Sequence, residues 1–173
     1  PILSEVEDEG NNPCVKLKNS TKNPTYKQKF KNLNKQEKFD LDKETGFAQK
    51  IENGLLNYND LVAPTNHSLI VPTGSLNFTH VHINNIKTNI NGDTYDANVK
   101  ILSPADIVTL IYNCQDSATN NSLDPTNAFG VMISNEGIFA ITLLETLSPV
   151  EKGNLNQKFK KIQDEFNLLS NNI

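Results

Sequence analysis

The chain predicts an α/β (α+β) domain, a mixed sheet with flanking helices, on three observations. Helical periodicity opens and closes it, and period-two alternation fills the middle. Near the end, Asn135-Glu136-Gly137 separates two apolar runs as a strong hairpin signal. In order these give helix, several strands, helix, hairpin, helix. Helices laid on a sheet are how such a succession buries its apolar faces. The length of 173 residues is enough for one domain with a substantial core, and no internal repeat is present.

Taken along the chain, residues 1–20 begin acidic (SEVEDEG) and carry no apolar period, so they read as a tail or linker ahead of a domain at 21–173. A helix starts at Asn23-Pro24, with Asn as N-cap, Pro at the first helical position, and Tyr26, Phe30 and Leu33 on one stripe. The lysines around that stripe read as a solvated face and imply no anionic partner. TGFAQKI, SLIV and LNFTHVHI follow as strands, and Asn53-Gly54 makes a tight turn after the first. An Asn-rich insert occupies about 84–98, its Asn84-to-Asp96 part reading as loop. ANVKIL reads as a short strand leading into a helix, SPADIVTLIYNC, which Cys114 ends. AFGVMIS and GIFAITLL are the hairpin strands. The last helix runs from about Pro149 to Leu169, with Leu155, Phe159, Ile162, Phe166 and Leu169 as core material.

Composition excludes some functions. A net charge of −4 and a pI near 5.4 argue against gripping nucleic acid through phosphates. No run approaches the roughly 18 apolar residues of a membrane span. The chain lacks an initiator Met and a signal-peptide pattern, which reads as a processed form or fragment, with a secreted or cell-envelope protein as one origin. Cys14 and Cys114 lie far apart and outside any C-x-x-C pair. A disulfide between them would need an oxidising compartment. A catalytic thiol is disfavoured, because Cys114 at a helix end lacks the N-terminal dipole that acidifies a thiol.

The stretch NFTHVHIN holds two of the three histidines. With a side-chain period of two, His80 and His82 project from one face, roughly 6–7 Å apart along the strand. They are a metal-binding pair in search of a third ligand, or polar residues on an exposed strand face; both readings stand. SPAD, residues 103–106, is explained as a helix start by Ser103 as N-cap, Pro104 at the first position and Asp106 near the dipole. A helix start that follows a strand also presents its Asp toward a sheet edge. If Asp106 faces the histidines, the set is two imidazoles and a carboxylate with a fourth position open, the ligand count of a catalytic zinc. His67, in a Pro/Asn-rich loop, reads as a surface histidine, with an extra ligand or substrate contact as the alternative.

The order of Glu44 in KETGF, His80 and His82 in FTHVHI, and Ser103 and Asp106 in SPAD resembles the JAMM (MPN-plus) zinc metallopeptidases. The resemblance spans roughly residues 40–145, and the preceding helix with KETGF is similar to segments of JAMM-like proteins of Bacteroidetes type. It implies a JAMM/MPN-like (cytidine-deaminase-like) core with zinc on His80, His82 and Asp106. Glu44 would be the base toward metal-activated water, and Ser103 would stabilise the oxyanion. The implied reaction is hydrolysis of a peptide or isopeptide bond in a peptide or protein substrate. Two features depart from the family: about twenty residues separate His82 from Ser103, and Ile83 stands where a proline is common. The alternatives are a non-catalytic binding domain on a degenerate JAMM-like scaffold within a larger secreted or envelope protein, and a hydrolase of another type using the same ligands.

Overall fold

In the computed structural model of the protein, which describes residues 12–65, 68–96 and 100–171, helices begin where Asn-Pro or Ser-Pro pairs stand. Asn12 caps α1 (Pro13–Ser20), Asn23 caps α2 (Pro24–Leu33), and Ser103 caps α4 (Pro104–Thr109). In each case the cap side chain accepts from a first-turn N–H, and proline occupies a position whose N–H would otherwise be unpaired. A short helix, α3 (Gln36–Phe39), follows α2.

Six strands form the main sheet in the order β3-β2-β1-β4-β7-β8. They are β1 (Gly46–Glu52), β2 (Leu55–Thr65), β3 (Ser68–Ile70), β4 (Ser75–Val81), β7 (Phe129–Ser134) and β8 (Gly137–Thr142). Every neighbouring pair is antiparallel except β4 and β7, which are parallel. A parallel pair needs a long crossover, and here it carries the Asn-rich insert and the middle helix. The expected mixed sheet with flanking helices is therefore present. Asn53 and Gly54 turn between β1 and β2 with φ of 54° and 76°, the left-handed pair that a two-residue hairpin requires.

Several details differ from the sequence expectation. First, α1 lies inside the expected tail and belongs to the folded body, because it packs on β8. Its Lys16 is buried, with Nζ donating to the Thr126 carbonyl and, at 3.1 Å, to Thr142 Oγ1. Second, β2 is a strand that the sequence does not announce. Its Asn57, Asn59, Asp60 and Pro64 read as turn residues, yet the outer part of a sheet tolerates them. Third, the Asn84-to-Asp96 loop holds a small hairpin, β5 (Ile86–Thr88) with β6 (Thr94–Asp96). Asn89 closes its turn by accepting from the Asn91 and Asp93 amides at 2.9 and 3.0 Å. Within ANVKIL, residues 97–99 lie outside the described residues and residues 100–102 form no strand.

Fourth, Cys114 does not end the middle helix. A π-helical turn, Leu110–Cys114, links α4 to α5 (Gln115–Asn120). Finally, α6 (Pro149–Asn171) contributes less core than its stripe suggests. Leu155 and Phe159 are half-buried and Ile162 is exposed; the side chains of Phe166 and Leu169 lie outside the described residues. Its first turn is tied to the middle helix by Tyr112 Oη on the Lys152 carbonyl and by Lys152 on Asp116. Among the described residues, no helix is long and apolar enough to cross a membrane.

Each face of the sheet has its own core. On one, α2 lays Tyr26 and Leu33 over Phe47, Val81, Phe129, Val131 and Ile133. On the other, the middle helix lays Leu110 and Cys114 over Ala48, Leu61, Phe78 and Ala128. Strand alternation assigns Phe78, His80 and His82 to this second face, under the start of α4.

Candidate metal centre

β4 and α4 converge at the end of the second core. His80 is the penultimate residue of β4, and His82 follows the strand, held in line by its own N–H donating to the Ile133 carbonyl at 2.9 Å. Their rings lie 5.0 Å apart between centroids, and both residues are buried. An exposed His-x-His on a solvated strand face is therefore excluded.

Asp106 reaches them because the helix cap holds it. Its Oδ2 accepts from the Ser103 amide at 2.7 Å and the Ser103 hydroxyl at 2.9 Å, while its own N–H donates to Ser103 Oγ at 3.2 Å. This reciprocal capping box fixes the carboxylate and leaves Oδ1 facing His80 Nε2 at 3.4 Å. One ligand atom from each of His80, His82 and Asp106 lies within 4.8 Å of the other two. Tetrahedral zinc with bonds of about 2.0–2.1 Å separates its ligands by roughly 3.3 Å. The His80–Asp106 edge already has that spacing. Two buried imidazoles and one half-buried carboxylate, mutually close, could hold a metal ion.

Glu44 enters from β1. Gly46 pairs with His80 across β1 and β4, and a Cβ on Gly46 would stand 2.5 Å from the Thr79 carbonyl oxygen and 2.9 Å from His80 Cβ. Only glycine permits this approach, and the antiparallel register, extended two residues, brings Glu44 alongside His82. Glu44 is buried; that burial, and then the neighbouring Asp106 charge, push its carboxyl up to about 8, with Lys100 pulling the other way. Two acids sharing one desolvated site resist joint ionisation. Glu44, His80, His82, Ser103 and Asp106 line one cavity of about 160 Å3.

Ser103 stands at this cavity, but its hydroxyl proton is directed to Asp106 Oδ2. As it stands, Ser103 orients a candidate ligand; stabilising an oxyanion would require releasing that bond. His67 lies outside the described residues. Both cysteines are free, Cys14 exposed and Cys114 buried. Burial pushes the Cys114 thiol up to about 12, which leaves it inert as a nucleophile.

Lys100 is a residue that the sequence alone does not single out. It is buried, and its Nζ bonds the Ile83 carbonyl at 2.7 Å, Asn84 Oδ1 at 3.1 Å and Asp96 Oδ2 at 2.9 Å. It ties the small hairpin to the chain directly after His82. One Lys within an apolar run gives no local signal of this, because its partners lie up to 17 residues away. In comparisons with known proteins, no family model matches the chain, and no curated protein or solved structure matches it.

Proposed function

We propose that this protein is a zinc-dependent hydrolase of JAMM-like type that cleaves a peptide or isopeptide bond. One observation carries the reading: His80, His82 and Asp106 offer three ligand atoms within 4.8 Å in a cavity that also holds Glu44. Zinc in such a site supplies Lewis acidity and brings the pKa of a bound water to about 7.

The chain's own residues supply the rest. The sheet fixes the two imidazoles and the α4 cap fixes Asp106, so the ligand set needs little reorganisation. Glu44 lines the same cavity, where a carboxylate can accept a proton from an attacking water and return it. As water adds to the amide carbon, Glu44 takes its proton. As the C–N bond breaks, Glu44 passes that proton to the leaving amine, giving a carboxylic acid and an amine. Leu61, Leu69, Val71 and Phe78 line the same cavity.

The test is metal content beside turnover. Purified protein is expected to hold one zinc and to hydrolyse amide but not phosphoester substrates. His80→Ala and His82→Ala should lose zinc affinity by on the order of a hundredfold or more and lose turnover with it. Glu44→Gln should keep zinc and lose roughly 10²–10⁴ in rate. Ester or phosphoester cleavage in place of amide cleavage would make it a hydrolase of another type. The inward-turned Ser103 hydroxyl favours a second reading, a binding domain on a degenerate JAMM-like scaffold. A protein that ignores added zinc would leave that reading alone.

A further inference from the structure

The cavity at the candidate metal centre owes its floor to what β1 lacks. Gly46 stands between Leu61 of β2 and His80 of β4, and two residues on Ala48 pairs with Phe78. Glycine and alanine leave a trough between taller neighbours, and the start of α4 covers it with Ala105, Asp106 and Thr109. Leu61 and His80 are two strand spacings apart, roughly 10 Å. The candidate ligands occupy the β4 end of this trough. At the other end stand Leu69, on the outer strand β3, and Val71 just after it. Leu61 and Phe78 are buried, whereas Leu69 and Val71 are only half-buried and keep surface that a bound group can touch.

That wall is fastened to the helix that carries Asp106. Asn113, in the π-helical turn, donates through Nδ2 to the Val71 and Pro72 carbonyls at 3.3 and 2.9 Å, and its Oδ1 accepts from the Gly74 amide at 3.0 Å. Such turns recur at functional sites. Here one helix sets both the ligand, through its first turn, and the wall, through Asn113.

We infer that Leu69 and Val71 form a side-chain subsite of the metal centre, which takes one short aliphatic group, of alanine or valine size, beside the amide to be cleaved. The inference rests on the hydrolase reading and adds to it the kind of residue that flanks the scissile bond. The whole cavity is about 160 Å3, below the roughly 300 Å3 at which pockets for entire small molecules begin. It therefore admits the reacting group and a few carbons more, and excludes an aromatic ring. Among the described residues no Lys or Arg lines it, so an acidic side chain would be buried there without a cation.

The test titrates the zinc-loaded full chain with four hydroxamates, which chelate the metal and set their substituents beside it, and reads Kd by calorimetry. Acetohydroxamate is the reference and benzohydroxamate carries a ring. Isobutyrohydroxamate places a branched aliphatic group on the carbonyl side, and N-isopropylacetohydroxamate places one on the nitrogen side. At least one isopropyl compound is expected to bind roughly tenfold tighter than the reference, the scale of a methyl or two in an apolar pocket, and tighter than benzohydroxamate. The side that gains identifies which flanking residue is read. Leu69→Ala and Val71→Ala, each with parental zinc content, should cut that advantage to roughly threefold or less. Asn113→Ala should also keep its zinc and lose the advantage. The inference is overturned if zinc binds but neither isopropyl compound exceeds acetohydroxamate, if benzohydroxamate binds tightest, or if all three variants keep the parental ratios. A parent that takes up no zinc sinks the hydrolase reading and the subsite together. Size selection without amide turnover keeps the subsite and sinks the hydrolase reading alone.

Discussion

On the α2 side of β4, the Thr79 hydroxyl meets Tyr26 Oη at 3.0 Å inside a cluster of aromatic and branched side chains. On the opposite side, the same strand points His80 and His82 toward Asp106, with Glu44 beside them. Both faces bury polar atoms, but only the first resolves them as a neutral pair. Burial pushes the Tyr26 phenol up and keeps it uncharged, so that pair stays a stabilising contact over the physiological range. The second face sets Glu44, whose ionisation is opposed by burial and by the neighbouring Asp106 charge, beside two buried imidazoles. Such a group is poor material for stability, and perturbed acids in a cleft are what functional sites are made of. The difference separates the face that holds the fold from the face that carries the proposed chemistry.

Three variants sharpen that contrast, in order of effect on stability. Phe47, edge-on to Tyr26 at 5.2 Å, belongs to the stabilising face. Phe47→Ala should cost about 3–5 kcal/mol in urea unfolding of the metal-free protein. A loss below about 1 kcal/mol would mean the aromatic cluster is not what holds the sheet to α2.

Glu44 comes next. Its folded-state value, about 8, lies above its ordinary 4.5, so the folded chain keeps a proton that the unfolded chain releases. Its contribution is fully present below pH 4.5 and is lost as pH rises through about 8. A tenfold change in a proton affinity is worth about 1.4 kcal/mol, giving a loss of a few kcal/mol over that window. The metal-free parent should therefore lose stability relative to Glu44→Gln between pH 5 and 8, and zinc should remove the difference. Parallel pH curves for the two proteins would refute the coupling.

Ser103→Ala has the smallest expected effect, about 1 kcal/mol from the lost cap. Because the Ser103 hydroxyl also holds Asp106 Oδ2, zinc affinity should fall roughly ten- to a hundredfold. Unchanged zinc affinity with reduced turnover would instead favour a direct role for that hydroxyl in the reaction.

Much of this arrangement is legible in the sequence because it rests on local rules. Asn23-Pro24 and Ser103-Pro104 begin helices whose first N–H groups need acceptors, and Asn53-Gly54 supplies the left-handed turn between β1 and β2. Alternation in FTHVHI assigns both histidines to one face. The β2 strand is illegible because Asn57, Asn59 and Asp60 are turn-forming residues in isolation and become strand residues through pairing with β1. The hairpin in the insert is hidden because each strand is only three residues long and lies in a run of turn-forming residues. The α6 stripe has a helical period, but its burial depends on what lies opposite, which periodicity does not encode.

The chain by itself determined where helices start, which residues alternate, and that a Glu, two His, a Ser and an Asp occur in a suggestive order. Those properties depend on neighbours within a turn or a strand. Only the tertiary structure decided that α4 delivers Asp106 to β4, that Gly46 lets Glu44 approach, and that Lys100 anchors the insert behind His82. Each of these joins residues from about 17 to 60 positions apart, and sheet order and crossover set that proximity through burial on a shared face.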